Sequence, residues 1–284
     1  GMSAEELGDV LADADVLLNV SLMLPDRPEY RRIPHRLALD TDPVFTQVSI
    51  ARGNPIPERH TRLFTLGRPP LPGQAHEWVP TRQAVHLDDW DATTSPDPDA
   101  PFTTVTSWKA YPPLEFEGRS YGLKDVSLRA HLDLPRHTGA ALSIALAGGL
   151  DTDEGAAVLG ANGWQVTDAI AATRTSDAYR AFLAASAGEI GFAKHAYVAA
   201  RSGWFSDRTC CYLASGRPAV VQDTGWRDEL PTGEGLFAFS TTEEAVAGIE
   251  AVRDDPERHG KAARQVVADH FAAPEVCAQM LDAL

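Results

Sequence analysis

Short apolar runs alternate with stretches of helical period along most of the chain, and the alternation is most regular after residue 101. There FTTVTSW, ALSIALAG, WQVTDA, EIGFAK, PAVVQDTG and LFAFS are too short for buried helices and rich enough in β-branched and aromatic residues to predict strands. Between and after them KDVSLRAHLDL, TDEGAAVLGANG, SDAYRAFLAASA, SDRTCCYLASG and TTEEAVAGIEAV predict helices. Such alternation predicts right-handed crossovers and one open, predominantly parallel sheet of about six strands with helices on both faces. Thr241 with Glu244 forms a capping-box pattern, Gly216 and Pro218 punctuate a helix-to-strand passage, and Pro256 suits a first helical turn.

Upstream the pattern is sparser. Residues 4–14 have helical composition, residues 16–20 form an apolar run suited to a buried strand, and RLALDTDP (36–43) and TRLFTLG (61–67) predict two more strands. The stretch 91–101, DATTSPDPDAP, mixes Pro, Ser and Asp without apolar period and predicts a surface connection. The expected organisation is a smaller, partial or reduced α/β domain over 1–90, a linker over 91–100 and an α/β domain with an open parallel sheet over 101–284.

Composition narrows the class. With 44% hydrophobic and 23% charged residues, the chain can bury a sizeable core. No apolar run approaches the roughly 18 residues of a membrane-spanning helix. Gly1 and Met2 read as a leftover residue and a start, followed by an acidic helical stretch rather than a signal region, so a cytoplasmic address is expected. A net charge of -15 disfavours nucleic acid and anionic membranes as partners. Cys210, Cys211 and Cys277 fit neither a zinc pattern nor an even disulfide framework and are expected to be reduced and mostly buried. The nine histidines show no HExxH-like spacing, so no metal site is expected, and GxxxxGK[ST], GxGxxG and GxSxG are absent from the sequence.

Ligands of open parallel sheets bind at the carboxyl ends of the strands. One loop-and-helix segment after the strand EIGFAK is distinctive: between Ile190 and Gln222 stand Lys194, Arg201, Arg208 and Arg217 against Asp207 alone. That segment carries +3, which leaves -18 on the rest of the -15 chain. Ser206 is placed to cap the helix that follows, Ser202 and Gly203 keep the approach small, and the exposed amides of a helix start favour an anion by about 0.3–2 kcal/mol. Together they suit a diphosphate; taken singly, Arg201 and Arg208 are ordinary surface residues and Ser206 an ordinary cap.

Ser202, Gly203, Trp204 and Ser206, followed by Gly216-Arg217-Pro218 and PAVVQDTG, resemble the donor motif of the GT-B glycosyltransferase superfamily, over about residues 101–284 and in element order more than in identities. The resemblance implies a Rossmann-like domain of GT-B C-terminal type and a metal-independent glycosyltransferase that uses no cofactor. Its substrates would be a nucleotide-diphosphate sugar and an unknown acceptor. It implies a donor-binding set of Lys194, Arg201, Ser202, Gly203, Ser206, Asp207 and Arg208, with Asp223, Thr224 and Gly225 on the sugar side. A loop after the first strand of that domain adds Ser107, Trp108 and, at the next helix start, Lys124. Two departures bear on the donor: Arg201 stands where the plant-type motif opens with histidine, and Gly203 and Cys211 stand nearest the places of the glutamates of the common version. The Asp223-Thr224-Gly225 triplet also occurs in aspartic proteases, but one copy within a βαβ pattern fits that fold poorly.

An inverting transferase needs a general base from the opposite domain, for which Asp42, Asp40 and His35 in PHRLALDTDP are candidates. Asp42 before Pro43 is equally a turn former, and His35 a local hydrogen-bonding residue. Two other readings stay open: a GT-B-derived nucleotide-sugar-binding protein without turnover, and a nucleotide-sugar epimerase on the same scaffold.

Overall fold

The computed structural model describes residues 2–69, 71, 76–92 and 94–284. In the first part of the chain β1 (Val16–Val20), β2 (His35–Asp40), β3 (Arg62–Leu66) and β4 (Val79–Thr81) form a parallel sheet in that order. The chain then supplies β5 (Phe102–Ser107), an antiparallel hairpin of β6 (Leu114–Phe116) and β7 (Arg119–Tyr121), and β8 (Leu142–Ala147), β9 (Gln165–Asp168), β10 (Gly188–Gly191), β11 (Ala219–Gln222) and β12 (Leu236–Phe239). Apart from the hairpin, these strands form one parallel sheet of six in the order β12-β11-β10-β5-β8-β9.

The strand runs expected after residue 101 are therefore all present and share one sheet. Those at its centre are buried on both faces, as uninterrupted apolar or small-residue runs in a parallel sheet must be. One face packs on Leu128, Leu134, Leu159, Trp164 and Ile249. The other packs under the helices Asp207–Ala214 and Pro256–His270. The capping box Thr241/Glu244 forms, and Pro256 occupies the first helical position. The helix expected over KDVSLRAHLDL is shorter, Lys124–Arg129, and continues as turns and a 3-10 segment.

The hairpin and the helix Pro43–Ala51 did not stand out from the pattern. The hairpin turns at Glu117 and Gly118, both with positive φ (50° and 73°), the two-residue geometry that matches strand twist. Glu117 is an unusual residue for such a position, which is why the turn did not stand out from the sequence.

Residues 91–101 contain no strand or helix among those described, and most of them are exposed, with Pro96 buried. Arg217 is buried beneath this stretch and donates to the carbonyl of Thr94 at 2.8 Å. The last helix, Ala273–Asp282, returns to the first sheet, where Met280 packs on Leu37 and Phe64. The return is pinned by Val85, whose N–H donates to the Phe271 carbonyl at 2.8 Å and whose carbonyl accepts from Ala273 N–H at 2.9 Å. Hydrophobic packing also joins the halves, because Val44, Phe45 and Val48 share a cluster with Tyr121, Ala196, Tyr197 and Trp204.

Candidate functional site

The loops at the carboxyl ends of β2 and β3 meet those after β10 and β11, so the two sheets confront each other end to end. The contact is close: the Arg68 amide donates to the Ser202 carbonyl at 2.7 Å and Gln83 Nε2 to the Phe205 carbonyl at 2.6 Å, while within the second half the Gly203 amide donates to the Thr224 carbonyl at 2.8 Å. A Cβ on Gly67 would lie 2.5 Å from the Ser202 oxygen, so only glycine permits this approach. Arg68 also donates to the Gly225 carbonyl at 2.6 Å and pairs with Asp228 and Glu229.

Ser206 occupies the N-cap of the helix Asp207–Ala214, as the sequence predicts, but its hydroxyl makes no capping bond. The helix start therefore keeps amide donors that no intrahelical carbonyl satisfies. Asp207 accepts from Gln83, and burial raises its carboxyl against that hydrogen bond. Ser202 is fully buried and its hydroxyl accepts from the Trp204 amide at 3.3 Å, while Gly203 turns with φ +68°.

The cationic island dissolves once partners are assigned. Arg208 is nearly buried; it donates to Glu189 at 2.5 Å and to the Val105 carbonyl at 2.9 Å. Lys194 pairs with Asp42 at 2.8 Å and rests over the rings of Phe45, Tyr111 and Tyr197 at 4.6–5.4 Å. Arg201 sits at φ +47° with its side chain 62% exposed, paired with Asp228 at 3.1 Å and 3.8 Å from Asp223. Arg217 lies before β11, at the opposite end of the sheet from the loops. The expected +3 field is thus corrected. The carboxylates of Glu189, Asp42, Asp223 and Asp228, all outside the counted segment, cancel it.

One cation of the predicted set keeps its charge free. Lys124, partly exposed at the start of the helix Lys124–Arg129, has no hydrogen bond or ion pair among the described residues. Crowding lowers its ammonium from 10.5 to about 7, first through desolvation and then through the like charges of Arg208 and Lys194, with Glu189 opposing. Ser107 ends β5 on the same side. Trp108 does not join them: its ring is 1% exposed and packs on Gly155 inside the core. Large aromatic area is worth more buried than at a polar loop.

Asp223, Thr224 and Gly225 also serve the fold. The Asp223 carboxylate accepts from the Gly225 amide at 2.8 Å and pairs with Arg227 at 3.0 Å, while the Thr224 hydroxyl donates to the Trp204 carbonyl at 2.6 Å.

Of the three candidate bases, Asp42 alone lines the cleft with an accessible carboxylate. Lys194, Tyr197 and Tyr111 all reach it, Tyr111 at 3.5 Å. Asp40 ends β2 fully buried; it accepts from the Asp42 amide at 2.8 Å and from Thr46 and Thr65, and burial raises its carboxyl to about 6. His35 begins β2 opposite Val16, at the amino end of the strand and thus away from the cleft. Strand direction, which the motif PHRLALDTDP alone does not reveal, separates it from Asp42.

Sequence reasoning passed over Glu189, Arg68, Gln83, Tyr111 and Tyr197. Each acts through a partner distant in the chain, so no local signal marks it. The hollow beside Gly191, Ser206, Arg208 and Gln222 measures about 10 Å³. Larger hollows of about 670 and 450 Å³ lie along the helix Pro256–His270, away from the loops that meet in the cleft.

No protein-family model matches the chain, and no curated protein is significantly similar to it. Solved structures do match. AviGT4, a glycosyltransferase involved in avilamycin A biosynthesis, has a TM-score of 0.62 at 11% identity, covering 98% of this chain and 76% of that one. HepE from Anabaena in complex with UDP-glucose has a TM-score of 0.59 at 11% identity, covering 99% and 82%. TarM has a TM-score of 0.58 at 9% identity over 88% of this chain, which spans only 50% of TarM. Two parallel α/β units meeting at the carboxyl ends of their strands, shared with these proteins over nearly the whole chain, identify this protein as having the GT-B fold.

Proposed function

We propose that the chain binds a nucleotide-diphosphate sugar in the cleft and transfers its sugar to an acceptor. The observation that carries this reading is Lys124, a cation without a carboxylate partner among the described residues, on the cleft side of a GT-B fold. With the Ser206 helix start, it would stabilise the negative charge that develops on the departing diphosphate as the acceptor oxygen bonds to the anomeric carbon. HepE, a neighbour in fold, was solved with UDP-glucose, which supports the ligand class.

A reading as a binding protein without turnover has its own support. Asp42, the carboxylate best placed to take the acceptor proton, is engaged by Lys194 and Tyr197. Thermal shift with UDP-, ADP- and GDP-sugars at about 1 mM tests both readings, because a ligand at 100 times its Kd adds about 2.7 kcal/mol of stability. Stabilisation with sugar transfer or donor hydrolysis supports the transferase; stabilisation without turnover supports the binder. If no donor stabilises the chain, both readings fail.

A further inference from the structure

Asp42 carries more partners than a carboxylate that must accept a proton keeps. It follows β2 in the first half, and the side chains that reach it come from the second: Lys194 at 2.8 Å and Tyr111 at 3.5 Å on Oδ2, and Tyr197 on Oδ1. Lys194 also donates to the Tyr111 hydroxyl at 2.7 Å, which closes a triangle. Burial, followed by the Asp42 charge, holds both phenols above their ordinary range, so they stay protonated and donate. Three donors weaken the carboxylate as a base, and the carboxylate in turn neutralises the ammonium as an anchor for phosphate. What remains is one donor and one acceptor. Among the described residues Lys194 spends two of its three N–H groups, and Oδ1 receives one of the roughly two hydrogen bonds it can accept. Both side chains reach the surface, 19% and 35% exposed. Phe45 and Tyr111, half-buried, flank the ammonium with ring centroids at 4.6 and 5.2 Å. Trp204, also half-buried, stacks on Tyr197 at 4.5 Å and donates from Nε1 to the Thr41 carbonyl at 3.1 Å, beside Asp42.

We propose that Asp42 and Lys194, with Tyr111, bind the hydroxyls of a sugar ring in the cleft, Lys194 donating and Asp42 accepting. This rests on the proposed function. It gives Asp42 a task other than proton abstraction and Lys194 a task other than holding the diphosphate. A donor and an acceptor side by side, uncharged as a pair and bordered by aromatic rings, match the hydroxyls and the C–H faces of a sugar. A phosphate in the same place would meet the Asp42 charge at close range. The sugar belongs either to the nucleotide donor or to a saccharide acceptor, and no covalent bond is made or broken at the pair.

The test is titration calorimetry of the full chain and of Tyr111→Phe, Lys194→Met and Asp42→Asn with UDP and UDP-glucose, ADP and ADP-glucose, and GDP and GDP-mannose. Methyl glucoside, galactoside and mannoside are added to the nucleotide-saturated chain and followed by saturation-transfer NMR. Thermal melts check that each variant is folded, and Tyr111→Phe, which removes one hydroxyl from a half-buried ring, keeps the test open should Lys194→Met not fold. If the donor sugar sits there, the sugar nucleotide binds more tightly than the bare nucleotide. Lys194→Met then loses about tenfold or more of that gain and Tyr111→Phe about threefold to tenfold, with the bare nucleotide's affinity unchanged. If an acceptor sugar sits there, a glycoside signal appears in the parent and is lost in both variants. Variants that weaken the bare nucleotide as much as its sugar form overturn the proposal by making this a phosphate site. Asp42→Asn that keeps all binding but abolishes sugar transfer overturns it by making Asp42 the base. A parent chain that binds nucleotide with no contribution from any sugar overturns it and leaves nucleotide binding standing. If no nucleotide binds, the proposed function fails and takes the sugar site with it.

Discussion

Removing either member of the Arg208–Glu189 pair should unfold the second half of the molecule more readily than removing both. Glu189 is fully buried on β10, and among the described residues its Oε2 has no hydrogen-bond partner, while its Oε1 accepts from Arg208. Arg208→Leu strands that carboxylate in the core, a change that typically costs about 3–5 kcal/mol. Glu189→Leu strands the guanidinium, which among the described residues keeps the Val105 carbonyl at 2.9 Å as its hydrogen-bond acceptor, and should cost a similar amount. The double variant replaces the pair by apolar side chains and should fall within about 1–2 kcal/mol of the parent, because two desolvation costs vanish with the attraction. Urea unfolding of the four proteins at constant pH measures the coupling directly. Single losses below about 1 kcal/mol, or a double variant as unstable as the sum of the singles, would refute the view that Arg208 is held for Glu189. In that case Arg208 would again be available to a ligand.

Three further outcomes follow from the same geometry. Lys124→Met should stabilise the ligand-free chain by about 1–2 kcal/mol near pH 6, once the drop from 10.5 to about 7 is discounted for solvent access. The sign follows because the cost of a depressed lysine is fully present below the folded value and disappears as pH rises towards the unfolded one; thermal melts at about pH 6 and pH 10 check it. Asp40→Asn keeps acceptors for Asp42 and Thr46, and it should abolish the loss of stability expected as pH rises from about 4 to about 6, the window set by a buried carboxyl raised from 3.8 to about 6. Urea midpoints that still fall across that window in the variant would count against this assignment. Gly67→Ala should lower stability by about 2 kcal/mol or more, since its Cβ would meet the Ser202 oxygen at 2.5 Å with φ at +115°; an unchanged melting temperature would mean that this junction is looser than described.

The sequence by itself determined what is periodic or local. Apolar runs and helix-period stretches specify the six parallel strands after residue 101, because burial on both faces demands continuous apolar strands. Local chemistry also places the Thr241/Glu244 capping box and Ser206 at a helix start beside the cleft. The tertiary structure alone decided the electrostatics of the site. Counting charges within one segment suggested a field that the fold cancels, through pairs as far apart in the chain as Lys194 and Asp42, 152 residues, or as near as Arg208 and Glu189, 19. It also decided that His35 and Asp42, seven residues apart in sequence, lie towards opposite ends of one strand. Coulomb energy and desolvation depend on distance in space and on exclusion of water, and neither is encoded in spacing along the chain. That is why Lys124, one cation among several in the sequence, stands out as lacking a hydrogen bond or ion pair among the described residues only once the fold has paired Arg208 with Glu189 and Lys194 with Asp42.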